Sequence, residues 1–225
     1  MYTAVIATRL RDPYLIHALS SIYGQSYPPE RVEVIVDAGH DLAKDWHDEI
    51  VDRFPEVSIR TQTGRGMISA LNFGIERLAT PYVSFLDSDD VWRPLKQEFQ
   101  VAILEGDPSL HAVLCRAVNS TVKEDGEFES GRPTRSSLFT STTFRSSTFS
   151  TFGPLDTSAS HFVWLYRWWA SARQAGIRTS EIEYIGLERR IHGANSWLVN
   201  NQDAHSELLG EIRRIVARNR GTAHA

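Results

Sequence analysis

Short apolar runs alternate with amphipathic stretches through the first half of the chain. The runs have the length of buried strands, and the stretches between them repeat apolar residues every three or four positions, as helices do. The predicted strands are residues 3–7, 32–36, 57–59 and 82–86, and the predicted helices are residues 13–22, 42–54 and 68–78. Such alternation is typical of a parallel sheet covered by helices, so the pattern predicts an α/β fold.

The second half of the chain is less regular. Residues 111–115 and 182–185 have the composition of two further strands, and residues 206–219 predict a closing amphipathic helix. Residues 132–151 are rich in serine and threonine with phenylalanines among them, a pattern that favours strands with one exposed face. Residues 162–175 carry tryptophans at helical spacing and predict another helix.

The tryptophans indicate both core positions and candidate site positions. Trp164 and Trp168 are one helical turn apart, which favours packing in the core over a platform for a sugar ring. Trp92 follows an acidic cluster and Trp197 follows His192. Each of these two is a candidate for the rim of a binding site, with a buried anchor as the alternative.

Composition changes this picture mainly by exclusion. The chain has 225 residues, a net charge of −4 and one cysteine, so it fits one domain without an internal disulfide. The charge provides no general attraction to nucleic acid. No apolar run approaches the ~20 residues of a membrane span, and the first residues lack the basic region of a signal peptide. We therefore expect a cytoplasmic protein without a transmembrane segment.

An acidic cluster follows the fourth predicted strand. Asp87, Asp89 and Asp90 come directly after residues 82–86, and ligands of open α/β sheets bind outside the carboxyl ends of the strands. Three neighbouring carboxylates repel one another unless solvent or a cation intervenes. Mg²⁺ or Mn²⁺ bound together with a substrate diphosphate would relieve that repulsion. The alternative is a solvated turn that caps the helix after Pro94.

Motifs in a fixed order around this cluster resemble the family 2 glycosyltransferases, members of the nucleotide-diphospho-sugar transferase superfamily with the GT-A fold. The central match is Gly66, Ala70, Asn72 and Gly74, followed by Leu86-Asp87-Ser88-Asp89-Asp90. The flanking matches are residues 19–26, residues 34–37 and residues 190–196. Each match is weak alone, but their order from Thr3 to about Ser196 is specific.

The resemblance implies a single domain over residues 1–225. Its mostly parallel central sheet would carry helices on both faces in a Rossmann-like arrangement, beside a small antiparallel portion on the acceptor side. Residues 1–110 would form the nucleotide-sugar half and residues 111–200 the acceptor half, with a helix and tail in residues 201–225. The implied reaction transfers a sugar from a nucleotide diphosphate to an acceptor hydroxyl, with inversion and with Mn²⁺ or Mg²⁺ bound.

The resemblance also implies a donor site, residue by residue. Its nucleotide-sugar ligands would be Thr8 at the base, Asp37 at the nucleoside, Arg65 and Gly66 at the amino end of the third helix, Asn72, Asp87, Ser88 and Asp89. Its metal ligands would be Asp87, Asp89 and His192. A hydrogen-bonded histidine at a strand end is the alternative for His192.

Two departures from the family pattern affect the nucleotide and the base. The family has two aspartates after the second strand where this chain has Asp37-Ala38, so UDP, GDP and dTDP all stay open as donors. An acidic pair that supplies the general base aligns with Ser160-His161. His161 is therefore the predicted base, with Asp156 in reserve and a helix cap as the alternative for His161.

Other functions receive less support. A sugar-1-phosphate nucleotidyltransferase would need a glycine-rich first loop, and no glycine occurs between Met1 and Ile22. A dinucleotide oxidoreductase would need a Gly-x-Gly-x-x-Gly turn after a strand, which is missing from the sequence. The non-enzymatic alternative is a degenerate glycosyltransferase-like domain that binds a nucleotide sugar or a glycan. The acceptor is not readable from the sequence, and a homodimer is compatible with it.

Overall fold

One mixed sheet runs through the part of the molecule that the structure describes. The structure is a computed structural model and describes residues 1–8, 13–38, 44–123, 127–158 and 163–192, with Leu209, Gly210 and Arg213. The strands are β1 (Tyr2–Thr8), β2 (Arg31–Val36), β3 (Val57–Thr61), β4 (Tyr82–Asp87), β5 (Val91–Trp92), β6 (Ala112–Val122), β7 (Phe128–Ser130), β8 (Thr142–Arg145) and β9 (Thr179–Ile191). The helices are α1 (Leu15–Tyr23), α2 (Lys44–Arg53), α3 (Met67–Ile75), α4 (Lys96–Gly106), α5 (Ser147–Phe152) and α6 (Val163–Gln174).

The sheet has a parallel half and a mixed half. Its order is β3-β2-β1-β4-β8-β6-β9-β5, with β7 beside β6. The first four strands in this order are parallel, as the alternating pattern predicted. β8 runs antiparallel to both β4 and β6, and β7 pairs antiparallel with β6. The predicted antiparallel portion is therefore present, and it continues the same sheet.

Helices cover both faces of the sheet. Along β1, Ala4 and Ile6 belong to one apolar cluster, which includes buried residues of α1, α2 and α4. Val5 points the other way, into a second cluster that includes residues of α3, α5 and α6. This alternation follows from the two-residue period of a strand. The predicted arrangement with helices on both faces is confirmed.

The prediction of exposed-face strands for residues 132–151 is wrong. The segment forms a 3₁₀ turn at Phe139–Ser141, the central strand β8 and helix α5, and Phe139, Phe144 and Phe149 are buried. Most of its buried hydroxyl groups are bonded within the fold, as Thr142 Oγ1 is to the Leu138 carbonyl oxygen at 2.8 Å, whereas Thr140 Oγ1 has no partner among the described residues. These hydrogen bonds offset the usual penalty for burying the polar groups that make them.

The tryptophans divide between confirmed and corrected predictions. Trp164 and Trp168 are buried in the cluster on the α6 side, as predicted. Trp92 is also buried, and its Nε1 donates to the Thr140 carbonyl oxygen at 2.9 Å. The predicted position of Trp92 at the rim of a binding site is therefore wrong, and the alternative of a buried anchor is correct. Trp197 lies outside the described residues.

Several boundaries differ from the sequence prediction. β6 and β9 extend to Val122 and Ile191, well beyond the predicted residues 111–115 and 182–185. Of the closing helix predicted over residues 206–219, Leu209, Gly210 and Arg213 are described, and all three are helical. No described helix is both long enough and apolar enough to cross a lipid bilayer.

Candidate functional site

The parallel strands bring several predicted site residues to one edge of the sheet. Thr8 ends β1, Asp37 follows β2 and Asp87 ends β4. Ala7 pairs with Asp87, and the Asp37 amide donates to the Thr8 carbonyl oxygen at 2.9 Å. The carboxyl ends of neighbouring parallel strands meet at a shared edge, which is where such sheets bind ligands.

Three carboxylates lie together at this edge. Asp87, Asp89 and Asp90 each offer one oxygen, and these oxygens lie within 4.8 Å of one another. Burial, followed by the charge of Asp89, raises the pKa of Asp87 to about 6. Burial and both neighbouring carboxylates raise the pKa of Asp90, and the Arg189 charge opposes each of these two increases. The hard oxygen ligands and their mutual repulsion fit a divalent cation.

Asp90 connects the acidic cluster to β9. Its side chain is buried, and Oδ1 accepts a hydrogen bond from the Arg190 backbone amide at 2.9 Å. β5, directly after the cluster, also pairs with β9 at Val91 and Trp92. Asp90 belongs to the acidic cluster seen in the sequence, but its structural role is not visible there, because its partner is a backbone group 100 residues away.

This connection brings His192 beside Asp89. His192 Nε2 lies 3.2 Å from Asp89 Oδ2, although the two residues are 103 positions apart. The ring of Tyr14 lies against His192, with centroids 4.7 Å apart. Tyr14 was missed by the sequence analysis, although its place six residues after the end of β1 put it near the strand-end edge. His192 is thus held both at its nitrogen and on its ring face.

The amino end of α3 is anchored to the end of β2. Asp37 Oδ1 accepts hydrogen bonds from the Gly66 amide at 2.7 Å and from Gln62 Nε2 at 2.6 Å. Gly66 has φ +85°, a conformation that glycine adopts without strain. The Gly66 amide thus donates to Asp37, and the approach of Gly66 to the donor stays a prediction. Arg65 is exposed beside it.

Asn72 links α3 to the segment before α6. Its Nδ2 donates to the Leu155 carbonyl oxygen at 2.8 Å, and its Oδ1 accepts from the Leu155 amide at 2.9 Å. This reciprocal pair satisfies both backbone groups of one residue. Asn72 was predicted as a donor ligand, and this role stays a prediction; its amide group also makes this positioning contact within the chain.

The two candidate bases differ in what the structure describes. Asp156 accepts hydrogen bonds from the Ser158 amide and hydroxyl and from Arg167 Nη1, at 2.9, 2.5 and 3.1 Å. The Ser158 hydroxyl, chiefly, holds the pKa of Asp156 below its usual value, which weakens its case as a proton acceptor. His161 and Ser160 lie outside the described residues. Ser88 is partly buried between Asp87 and Asp89.

Solved structures share this fold. S. aureus TarS 1-349 in complex with UDP-GlcNAc has a TM-score of 0.70 at 14% identity, over 96% of this chain and 65% of that one. The mannosyltransferase PcManGT from Pyrobaculum calidifontis, in complex with GDP-Man and Mn²⁺, has a TM-score of 0.63 at 16% identity, over 86% of this chain and 58% of that one. These likenesses confirm the predicted GT-A fold.

Sequence comparison gives the family. An uncharacterized glycosyltransferase of Nostoc sp. is 27% identical over 93 residues, which are 41% of this chain and 29% of that protein. The chain spans about a third of the length of the sequence relatives it matches, between 29% and 36%. The model of glycosyl transferase family 2 matches residues 3–167. This match extends over most of the chain, which therefore belongs to glycosyl transferase family 2.

Proposed function

We propose that the chain transfers a sugar from a nucleotide-diphosphate donor to an acceptor hydroxyl. The observation that carries this proposal is the group of Asp87, Asp89 and Asp90 at the strand-end edge, with His192 beside Asp89. Family membership supports the reaction class. The degenerate binding domain is the second candidate, favoured by Ala38 and by Ser160-His161 in place of an acidic pair.

The metal we propose is Mn²⁺ or Mg²⁺, held by Asp87, Asp89 and His192. Clustered carboxylates suit either ion, and an imidazole ligand suits Mn²⁺ better than Mg²⁺. A bound divalent cation would neutralise the charge that develops on the departing diphosphate. Asp90, whose carboxylate already accepts from the Arg190 amide, would keep β9 and thereby His192 in place.

The donor would lie along the carboxyl ends of β1, β2 and β4. Thr8 and Asp37 would meet the nucleoside, and exposed Arg65 would reach the diphosphate with its guanidinium group. The solved structures of similar fold were determined with UDP-GlcNAc and with GDP-Man. UDP, GDP and dTDP sugars are accordingly the donors to test.

The chemical step we propose is direct displacement with inversion at the anomeric carbon. The acceptor oxygen forms a bond to that carbon as the bond to the diphosphate oxygen breaks, and the acceptor proton passes to the general base. The transition state has oxocarbenium character, as in glycoside hydrolysis. His161 is the proposed base, because its ordinary pKa of ~6.5 suits proton transfer near neutral pH.

Variants of the two candidate bases separate their roles. His161→Ala should lower kcat by about a hundredfold, the lower range for loss of a general base, and leave donor affinity nearly unchanged. Asp156→Asn should lower kcat much less, because Asp156 is engaged by Ser158 and Arg167. Steady-state rates with a responsive donor and acceptor measure both effects. A larger loss in Asp156→Asn would reverse the assignment.

A panel of UDP, GDP and dTDP sugars tests the function itself. With Mn²⁺ present, we expect one donor to be hydrolysed slowly in the absence of acceptor, and we expect chelation of the metal to stop this turnover. Release of the nucleoside diphosphate is the measurement. Metal-dependent nucleotide binding without turnover of any donor would favour the binding domain, and the absence of both would refute both candidates.

A further inference from the structure

Two buried polar atoms at the strand-end edge have no hydrogen-bond partner among the described residues. They are Thr8 Oγ1, at the end of β1, and Gln62 Oε1, directly after β3. The two residues are 5% and 2% exposed, respectively. Buried polar atoms are nearly always hydrogen-bonded, so each exception calls for a partner from elsewhere.

The amide of Gln62 has one possible orientation. Its Nε2 donates to Asp37 Oδ1 at 2.6 Å and to the Gly66 carbonyl oxygen at 3.0 Å. Both partners are acceptors, so the nitrogen must face them and both of its hydrogens are used. Oε1 is left as a fixed acceptor that cannot exchange places with the nitrogen.

Gly64 lies beside this oxygen and beside the Ser69 hydroxyl. A Cβ at Gly64 would come within 3.5 Å of Gln62 Oε1 and 2.0 Å of Ser69 Oγ. Any larger residue would therefore displace the Ser69 hydroxyl and place a methyl group in van der Waals contact with the oxygen. Ala38, after β2, also contributes no polar side chain there. The chain thus presents an oriented acceptor between the ends of β2 and β3.

We propose that Gln62 restricts the donor to nucleotides whose base carries a ring N–H, with Oε1 accepting from that N–H and Thr8 contacting the same base. This inference rests on the proposed nucleotide-sugar donor. Uracil, thymine and guanine carry a ring N–H beside a carbonyl, to which the Thr8 hydroxyl can donate. Adenine and cytosine carry a bare ring nitrogen at that position, which would set two lone pairs against each other.

The spacing of the strands agrees with a base between these two side chains. Thr8 and Gln62 belong to strands on either side of β2. Neighbouring strands are ~4.8 Å apart, so the two backbones are separated by about 10 Å. A planar base and two short side-chain contacts can span that separation. Asp37, at the end of the strand between them, orients Gln62.

The test uses nucleoside diphosphates whose ring N–H is methylated. Affinities of the wild-type chain for UDP, dTDP, GDP, ADP and CDP, measured by calorimetry with Mn²⁺, identify the preferred base. The preferred nucleotide should bind about tenfold more tightly than its ring-N-methyl analogue, the usual range for loss of one hydrogen bond. Gln62→Met keeps the size of the side chain. In this variant the preferred nucleotide should bind as weakly as its ring-N-methyl analogue, so the difference in affinity between the two nucleotides should disappear.

Controls separate this hydrogen bond from steric and folding effects. Gln100 is a matched buried glutamine, with Nε2 donating to two carbonyl oxygens at 2.8 Å, and Gln100→Met should keep the wild-type discrimination. A methyl penalty that persists in Gln62→Met would indicate a steric clash and overturn the proposal. If Gln62→Met does not fold, two measurements decide the question. One is the wild-type affinity for the preferred nucleotide against its methylated analogue, and the other is the affinity of the isosteric variant Thr8→Val, which should bind the preferred nucleotide more weakly.

Pyrophosphate distinguishes failure of this inference from failure of the proposed function. If the wild-type chain binds pyrophosphate with Mn²⁺ and binds parent and methylated nucleotides equally, base recognition by Gln62 is refuted while donor binding stands. If neither pyrophosphate nor any nucleotide binds, the proposed function fails and this inference fails with it.

Discussion

Asp89→Asn should abolish metal-dependent donor binding. The substitution keeps the shape of the side chain and removes the charge between Asp87, Asp90 and His192. Residues that only support metal ligands commonly contribute 10- to 100-fold to metal affinity, so loss of a direct ligand should cost at least about a hundredfold. Titration with Mn²⁺ followed by electron paramagnetic resonance measures the affinity, and donor hydrolysis measures the consequence.

The same substitution should stabilise the metal-free protein. The Asp89 charge contributes to the raised pKa values of both Asp87 and Asp90, so its removal relieves repulsion within the acidic cluster. Urea unfolding in the presence of a chelator should therefore show a higher free energy of unfolding for the variant. Loss of binding together with a gain in stability would exclude misfolding as the reason for the lost binding.

Asp48→Asn is the matched control. Asp48 lies on α2 with its Oδ1 3.5 Å from His47 Nδ1, and both side chains are about half exposed. This pair is also an aspartate–histidine contact, but it lies on α2, and exposed ion pairs of this kind contribute little to stability. The control should keep wild-type Mn²⁺ affinity. Unchanged affinity in Asp89→Asn would refute the metal assignment.

The parallel half of the fold could be predicted because its signals are local. Each of β1, β2 and β4 is mostly apolar and almost wholly buried, as strands covered on both faces are. The second half gave weaker signals, since β8 is a central strand made of Thr142, Thr143, Phe144 and Arg145. Its hydroxyl side chains are bonded to other elements: Thr143 Oγ1 lies 2.7 Å from Ser84 Oγ on β4 and donates to Gln100 Oε1 on α4 at 2.8 Å. Local composition cannot report such tertiary partners.

The candidate site shows the same division. The position of Asp87 and Asp89 followed from a strand end and an acidic pattern. His192 came from a family resemblance, because no local rule links it to a carboxylate 103 residues earlier. The Asp90–Arg190 link and the Asp37–Gln62 pair join distant segments, so their roles appear only once the sheet is assembled.

Lys96→Met should stabilise the protein at neutral and acidic pH. Lys96 is fully buried, with Nζ 4.3 Å from the centre of the Trp92 ring and 3.5 Å from Thr143 Oγ1. Burial lowers the pKa of Lys96 to about 7, with Cys115 opposing the shift. Below that pH the folded state carries a buried charge, and methionine fills the same space without this cost.

The pH dependence follows from the direction of that shift. Below about 7 the amine is protonated in both states, and the cost of burying its charge is fully present. Between about 7 and the ordinary lysine value of 10.5, the unfolded chain binds more protons than the folded chain, so stability rises with pH. The rise attributable to Lys96 is at most about 1.4 kcal/mol per pH unit.

The decisive measurement is the difference in free energy of unfolding between Lys96→Met and wild type from pH 6 to 8.5. We expect the stabilisation by methionine to be largest at pH 6 and to shrink as pH rises, because the wild type then sheds its buried proton. Ending at pH 8.5 avoids Cys115, whose pKa is raised by burial and whose titration would have the opposite sign. Lys123, a partly exposed lysine 3.8 Å from Glu129, gives the control variant Lys123→Met, which should follow wild type at every pH. A constant difference across this range would show that Lys96 stays charged in the fold, held by the Trp92 ring and Thr143.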